Sequence, residues 1–215
     1  MELFVIEKRQ KEKNTRRKLM NNIMNYFGQM LLPGFLGILA AEIVRFIMLK
    51  IKRQRVKDLK ILHEAALAIF FGILAAIFYL TNISEIEHFS LDISNARINL
   101  LPFKVIFETA VEVYINNNMT YFVINLLGNI LIFLPVGILC PILWKNVGLL
   151  KTAGIGALIS LVIEVSQLFV GRACDIDDII LNASGAVIGF LIYRVLNRYI
   201  DFSVFKSGGE DGFFR

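Results

Sequence analysis

The sequence predicts an all-α membrane protein: a polytopic helix bundle of about five transmembrane helices, with one interfacial helix in an outer loop. Hydrophobic residues make up 56% of the 215 residues, and the mean hydropathy is +0.64. Such a composition is unsuited to a soluble globular domain. The residue-by-residue alternation of membrane β-strands is absent, and helices are the other form that satisfies every backbone group in lipid.

Five apolar stretches approach the length of about 20 residues that a helix needs to cross a bilayer. They are Phe27–Leu49, Ile61–Thr81, Tyr121–Trp144, Gly148–Val170 and the shorter Ile179–Leu196. The first contains Pro33, Glu42 and Arg45, so an incomplete crossing is the alternative for this stretch. We favour a full crossing, because Glu42 and Arg45 are three residues apart on one helix face and can partially neutralise each other.

These spans divide the chain into three parts. Residues 1–97 hold an N-terminal tail and two transmembrane helices, and residues 98–196 form a core with three more. Residues 197–215 are a C-terminal tail.

The loop before the third span contains an amphipathic segment, Leu101–Ile115. Its apolar face comprises Phe103, Ile106, Phe107, Ala110 and Tyr114, and Lys104, Glu108 and Glu112 point elsewhere. This pattern is typical of a helix that lies in the membrane interface. A short soluble helix packed on the ends of the spans explains it equally well.

The distribution of lysine and arginine predicts the orientation. The link Lys50–Lys60 contains six of them, whereas the longer link Asn82–Thr120 contains only Arg97 and Lys104. Since cytoplasmic loops are enriched in these residues, the first link should be cytoplasmic and the second outside. The loop Gly171–Asp178 is then outside, and so is the N-terminal tail, although it carries seven cationic residues between positions 8 and 18.

The net charge of +5 does not indicate a nucleic-acid-binding protein. The positive residues cluster at the edges of the spans, where they set topology and contact anionic lipid head groups. We therefore expect membrane lipids as partners and no nucleic acid. The oligomeric state cannot be inferred from the sequence.

Polar residues inside the last three spans are the candidates for a functional site. A charge at the bilayer centre costs at least ~2.5–3.5 kcal/mol, so Glu164 needs a compensating reason to be there. Hydrogen bonding between helices is the structural alternative for the asparagines. In the fifth span, Gly185 and Gly189 share a face that lets another helix approach closely. The candidate ligand-binding residues are Asn125, Asn129, Glu164, Gln167, Arg172, Asp175, Asp177, Asp178 and Asn182.

The loop between the fourth and fifth spans adds one arginine and three aspartates to these polar residues. Asp177 or Asp178 would suit the N-terminus of the fifth helix as a cap. Capping does not require Arg172 or Asp175, so Arg172 could be a structural partner or a clamp for phosphate or carboxylate. The acids could also hold Mg²⁺ or Ca²⁺ through oxygen ligands, although we expect no cofactor.

Three segments resemble the VanZ-like family of bacterial membrane proteins, which is named for an accessory protein linked to teicoplanin resistance. They are INLLPF (Ile98–Phe103), NLLGNILIFLPVGILCPIL (Asn125–Leu143) and IEVSQLFVGRACDIDDIILNASGAVIGF (Ile163–Phe190). The resemblance covers residues 98–193. It implies that the hallmark positions are Asn125, Gly128, Asn129, Pro135, Gly137, Glu164, Gln167, Arg172, Asp175, Asp177, Asp178, Asn182 and Gly185.

The resemblance and the polar loop together lead to an expected function. We expect a non-enzymatic envelope protein in the bacterial cytoplasmic membrane. Its outward-facing pocket would bind a lipophilic or lipid-linked anionic group, such as a lipoglycopeptide, and affect susceptibility to teicoplanin.

Two other functions fit the same residues. The first is a metal-assisted enzyme acting on a phosphorylated lipid, with Arg172 on phosphate and Glu164 as a general base. The second is a small transporter. In addition, Glu164 and Arg172 could simply form a structural ion pair.

Overall fold

The protein is all-α, as predicted. The structure is a computed structural model that describes residues 2–51, 61–82, 90, 97–116 and 119–206. The helices are α1 (Glu2–Ile51), α2 (Ile61–Asn82), α3 (Lys104–Asn116), α4 (Met119–Phe122), α5 (Gly128–Leu143), α6 (Leu149–Leu168) and α7 (Ile176–Leu196). A π-helical segment, Val123–Leu127, joins α4 to α5, and two short strands, β1 (Ile98–Asn99) and β2 (Cys174–Asp175), pair in parallel.

Five helical segments are long and apolar enough to cross a membrane, which confirms the predicted number. They are Gly28–Ile47, Ile61–Asn82, Asn125–Leu143, Leu149–Leu168 and Ile176–Leu196. The first continues through Pro33 as helix, so this proline does not end it. The last begins three residues earlier than predicted, because its first turn contains the acidic residues that sequence reading placed in the loop.

Helices α1 and α2 pack against each other through small residues. A Cβ atom added to Gly72 would lie 2.6 Å from Ile38 Cγ1, and one added to Gly37 would overlap the Ala75 side chain. Near the end of this pair, Arg45 Nη2 contacts Glu64 Oε1 at 2.5 Å, and Arg45 Nε donates to Oε2 at 2.6 Å. The expected neutralisation of Arg45 by Glu42 is therefore wrong: α2 supplies a carboxylate that accepts two hydrogen bonds in the fork geometry arginine favours.

The closest helix packing joins α5 to α7. A Cβ atom on Gly185 would collide with the carbonyl oxygen of Ile130, and one on Gly189 with that of Leu134. On the facing helix, a Cβ atom on Gly137 would collide with the carbonyl oxygen of Ala186. The prediction that another helix approaches the Gly185 and Gly189 face is confirmed, and the partner is α5.

Two features place the elements at opposite ends of the bundle. At one end, which we call the site end, Ser166 Oγ donates to Asn82 Oδ1 at 2.8 Å, so α2 and α6 finish there. At the other end, the turn Ser203–Phe205 returns to the start of α2, where the Phe205 carbonyl lies 2.7 Å from His63 Nδ1. The helices therefore alternate in direction, as successive membrane spans must.

The predicted amphipathic helix of the outer loop exists as α3 and lies at the site end. The β1–β2 pairing brings its preceding segment to the α6–α7 loop, with Asn99 opposite Asp175. The helix begins at Lys104, so Phe103 lies in the turn before it (φ 66°) and not on its apolar face. Phe107 and Tyr114 are 71% and 91% exposed, so this face does not pack on the spans.

Part of the orientation argument lies outside the described residues, namely 52–60 and most of 83–96. The placement of the site end on the outer face of the membrane stays a prediction.

We predict that a cysteine at Glu108, on α3, reacts with a membrane-impermeant thiol reagent on intact cells, in a background without Cys140 and Cys174. One at Lys145, in the α5–α6 turn, should react only after permeabilisation. Both positions are exposed. The reverse labelling pattern would place the site end in the cytoplasm.

A second prediction tests the α5–α7 contact. Gly185→Leu should lower the free energy of unfolding by at least about 1–3 kcal/mol, because its side chain must displace the α5 backbone. The melting temperature in detergent should fall by about 2–4 °C for each kcal/mol. The control is Gly154→Leu on α6, where an added Cβ meets nothing within 4 Å. Equal melting of the two variants would show that α5 and α7 do not touch at Gly185.

Candidate functional site

Glu164 is buried in the bundle, with a relative exposure of 1%. It lies one turn before the end of α6, and its Oε2 accepts the backbone N–H of Asp175 at 2.7 Å. That N–H belongs to the residue immediately before α7. A carboxylate at this position is favoured by the partial positive charge of a helix N-terminus. Glu164, whose charge would be costly in lipid, thus accepts a hydrogen bond from the start of the next span.

Asp175, and not Asp177 or Asp178, is the N-cap of α7. Its Oδ1 accepts the backbone N–H of Asp177 at 3.0 Å, and its Oδ2 accepts Asn99 Nδ2 at 2.9 Å. The predicted cap was wrong because the helix starts at Ile176, which puts both later aspartates inside its first turn. Asp175 fulfils a second role as well, since it fixes β1 to the loop.

Asp177 holds α3 in place. It is fully buried, and its two oxygens accept the backbone N–H groups of Phe103 at 2.5 Å and Val105 at 2.7 Å. One of these groups lies just before α3 and the other in its first turn, where backbone N–H groups have no partner within the helix. Asp177 therefore caps a helix from another part of the chain, a role that sequence reading did not identify.

Asp178 connects α7 to α5. Its Oδ1 accepts Asn129 Nδ2 at 2.5 Å, and the same amide nitrogen lies 3.2 Å from the Asn125 carbonyl oxygen. Asn125 lies in the π-helical segment, where Gly128 N–H bonds to Val123 O, five residues back. Asn125 therefore contributes only its backbone carbonyl, as an acceptor for Asn129. Asn129 makes a hydrogen bond between helices, which was the structural alternative expected for the asparagines.

Gln167 and Arg172 meet at the end of α2. Gln167 Nε2 and Arg172 Nη1 both donate to the Thr81 carbonyl, at 3.2 and 3.1 Å. The Arg172 backbone N–H also donates to Gln167 O at 3.0 Å, and its side chain is exposed. Within the part of the chain that the structure describes, Arg172 and Glu164 form no ion pair, so the structural-pair hypothesis has no contact to support it.

Asn182 lies deeper between α6 and α7. Its Nδ2 donates to Ser160 Oγ at 2.8 Å, and both residues are buried. Its Oδ1 has no hydrogen-bond partner in the described part of the chain. Ser160 and Asn99 were not among the predicted site residues. Their signals were present, as Ser160 shares a face with Glu164 and Asn99 lies in the INLLPF segment.

The acids do not converge on a metal site. Among the described residues, no three His, Cys, Asp or Glu side chains are close enough to hold a metal ion. Asp175, Asp177 and Asp178 instead accept hydrogen bonds from different donors, on β1, α3 and α5.

Cys174 reports on the charge of this site. Its thiol has a pKa above the ordinary value, first because of burial and then because of the negative charges of Glu164, Asp175 and Asp178. A raised pKa means that less of the reactive thiolate is present at a given pH. Cys140 is also a free cysteine and is buried, so Cys174 is the more accessible of the two.

We predict that Glu164→Gln speeds the alkylation of Cys174 by iodoacetamide at pH 8, because removing the carboxylate charge lowers the thiol pKa. The measurement is the rate against pH in a Cys140→Ala background, and the rate profile should move to lower pH. Glu108→Gln, which removes the same charge from exposed α3, serves as control. An unchanged profile in Glu164→Gln would mean that Glu164 is not charged or not close to Cys174.

Comparison with known proteins gives two matches. A family model described as VanZ/LLP1 matches residues 65–197, more than half of the chain. Protein VanZ of Enterococcus faecium is 31% identical over 78 residues, which are 36% of this chain and 48% of that protein. The aligned part thus spans about half the length of that curated relative. No solved structure matches the chain.

The family match includes the five helices that contribute to the site, namely most of α2 together with α3, α5, α6 and α7. It extends further toward the N-terminus than the motifs that sequence reading recognised, because α2 has no distinctive motif of its own. With five helices able to span a membrane and a family model that covers the site, the chain is a multi-pass membrane protein that belongs to the VanZ/LLP1 family.

Proposed function

We propose that this protein is a non-enzymatic binding protein of the bacterial cytoplasmic membrane. Its outer end binds the anionic head group of a membrane amphiphile, such as a lipid-linked group or a lipoglycopeptide. The observation that carries the proposal is Arg172, an exposed cation beside a buried acidic group at the end of four helices.

Arg172 is positioned to receive an anion. Its backbone is held by Gln167 and one guanidinium nitrogen by the Thr81 carbonyl. The other guanidinium N–H groups have no hydrogen-bond partner among the described residues. A planar guanidinium with free donors suits the paired oxygens of phosphate or carboxylate.

The surroundings of the site suit an apolar tail. Leu100, Leu101 and Phe103 are 69%, 68% and 63% exposed, and they lie in the segment that Asp177 holds at the site end. Phe107 on α3 continues this surface with 71% exposure. Exposed apolar groups of this kind in a membrane protein contact acyl chains. A head group on Arg172 and a tail on these residues would both lie at the site end of the bundle.

The family supplies the physiological context. The similarity to Protein VanZ and the family's link to teicoplanin resistance support an effect on lipid-tailed glycopeptides. A binding protein could lower susceptibility by sequestering such a molecule or a lipid that it needs. The acids at this end are engaged in capping and interhelical hydrogen bonds, which supports a binding role over catalysis.

We predict that Glu164→Gln and Arg172→Gln both fold and both abolish the effect on teicoplanin susceptibility, and that the double variant recovers nothing. Glutamine at position 164 keeps an oxygen for the Asp175 N–H, and Arg172 is not the partner of Glu164. Breaking a buried ion pair would instead cost about 3–5 kcal/mol in each single variant and less in the double.

Expression level, melting temperature and susceptibility of the three variants decide the matter. Glu108→Gln on exposed α3 is the matched control for loss of one carboxylate. Recovery of stability and function in the double variant would make Glu164 and Arg172 a structural pair and overturn the binding proposal.

A further inference from the structure

Glu164 on α6 and Asp178 on α7 are close enough for their charges to interact, and we call the space between them the gap. The hydrogen bond from Asn182 to Ser160 sets these antiparallel helices side by side at one level. On α6, Glu164 lies four residues from Ser160 toward the site end, and both are on the same face. On α7, Asp178 lies four residues from Asn182 toward the site end, again on the same face. The two acids are therefore opposite each other, one turn above the Ser160–Asn182 contact.

Three side-chain oxygens around this gap accept no hydrogen bond from the residues that the structure describes. Glu164 Oε2 and Asp178 Oδ1 each accept one hydrogen bond, from Asp175 N–H and Asn129 Nδ2. Their second oxygens accept none from the described part of the chain. Below them, Asn182 is 4% exposed, and its Oδ1 has no partner.

Asn182, whose oxygen has no partner among the described residues, lies one turn from Asp178 on the same face of α7. Cα–Cβ bonds of a helix tilt toward its N-terminus, so the Asn182 side chain leans toward the turn of Asp178. A buried carbonyl oxygen without a donor is costly, and so is a pair of carboxylates, one buried and one half-buried, that accept no hydrogen bond from any described cation. Arg172 is at the exposed rim with its Nη1 on Thr81 O, so it does not fill the gap. The missing group must donate hydrogen bonds and carry positive charge.

We propose that the gap lined by Glu164, Asp178 and Asn182 binds a primary ammonium group. This inference rests on the proposed binding function and specifies its ligand: a zwitterionic head group, with the anionic part on Arg172 and the amine between α6 and α7. An ammonium has three N–H donors, one for each of the three lining residues. A quaternary amine has none.

The test compares three lipids with the same acyl chains, added to the purified full chain in detergent and measured by native mass spectrometry. Phosphatidylethanolamine has a phosphate and a primary ammonium, phosphatidylcholine has a quaternary amine, and phosphatidylglycerol has no amine. We expect phosphatidylethanolamine to bind at least about tenfold more tightly than the other two, which is what one hydrogen bond to a charged group provides.

Isosteric variants then identify the residues responsible for the preference for phosphatidylethanolamine. Glu164→Gln and Asp178→Asn keep the oxygens that accept from Asp175 and Asn129 but remove the negative charges. Each should reduce the preference for phosphatidylethanolamine, whereas Glu108→Gln should leave it intact. Ethanolamine alone should compete with phosphatidylethanolamine, and glycerol should not.

Equal affinity for the three lipids would overturn the ammonium site, in which case a buried water is the natural donor to Asn182. A preference that persists in both isosteric variants would also overturn it. If a variant fails to fold, the comparison of lipids on the unmodified protein still decides. The anion site is tested separately: Arg172→Gln should weaken phosphatidylglycerol binding, and a failure there leaves the ethanolamine preference as an independent result.

Discussion

The start of α7 is the point on which the site end of this protein depends. A helix N-terminus leaves several backbone N–H groups without partners, and lipid tails cannot accept hydrogen bonds from them. Here Glu164 accepts one of them from the side of α6, and Asp175 accepts another as the cap. The same short stretch supplies Asp177 to α3 and Asp178 to α5. Carboxylates within or beside a single helical turn thus hold four elements together, namely α3, α5, α6 and α7.

The glycine contacts have a different role from this polar group. Lipid tails are as apolar as leucine, so burial of apolar surface does little to bring membrane helices together. Close backbone approach at Gly137, Gly185 and Gly189 instead gains van der Waals contact over several turns of α5 and α7. This packing fixes the depth at which Asp178 meets Asn129, so the apolar interface sets the geometry of the polar one.

Features that depend on local periodicity could be predicted from the sequence, and features that depend on distant partners could not. The five spans and the glycine face of α7 follow from hydropathy and residue spacing within one helix. The correct cap required knowing where α7 begins, which Glu164 and Asn99 determine from other elements. Arg45 was assigned a neighbour on its own helix, yet its partner is Glu64, 19 residues later. Asp177 accepts hydrogen bonds from residues more than 70 positions away, and no pattern in the sequence indicates which residues these are.

The Asp177 cap has a mechanical consequence. Since its two oxygens bind Phe103 just before α3 and Val105 in the first turn, that helix and the start of α7 cannot tilt independently. An α3 that lies in the membrane interface would move with the level of the lipid head groups. A thinner or thicker bilayer would then pull on the first turn of α7, where Asp175 and Asp178 are also held. The geometry of the site would then depend on the thickness of the bilayer, even with nothing bound.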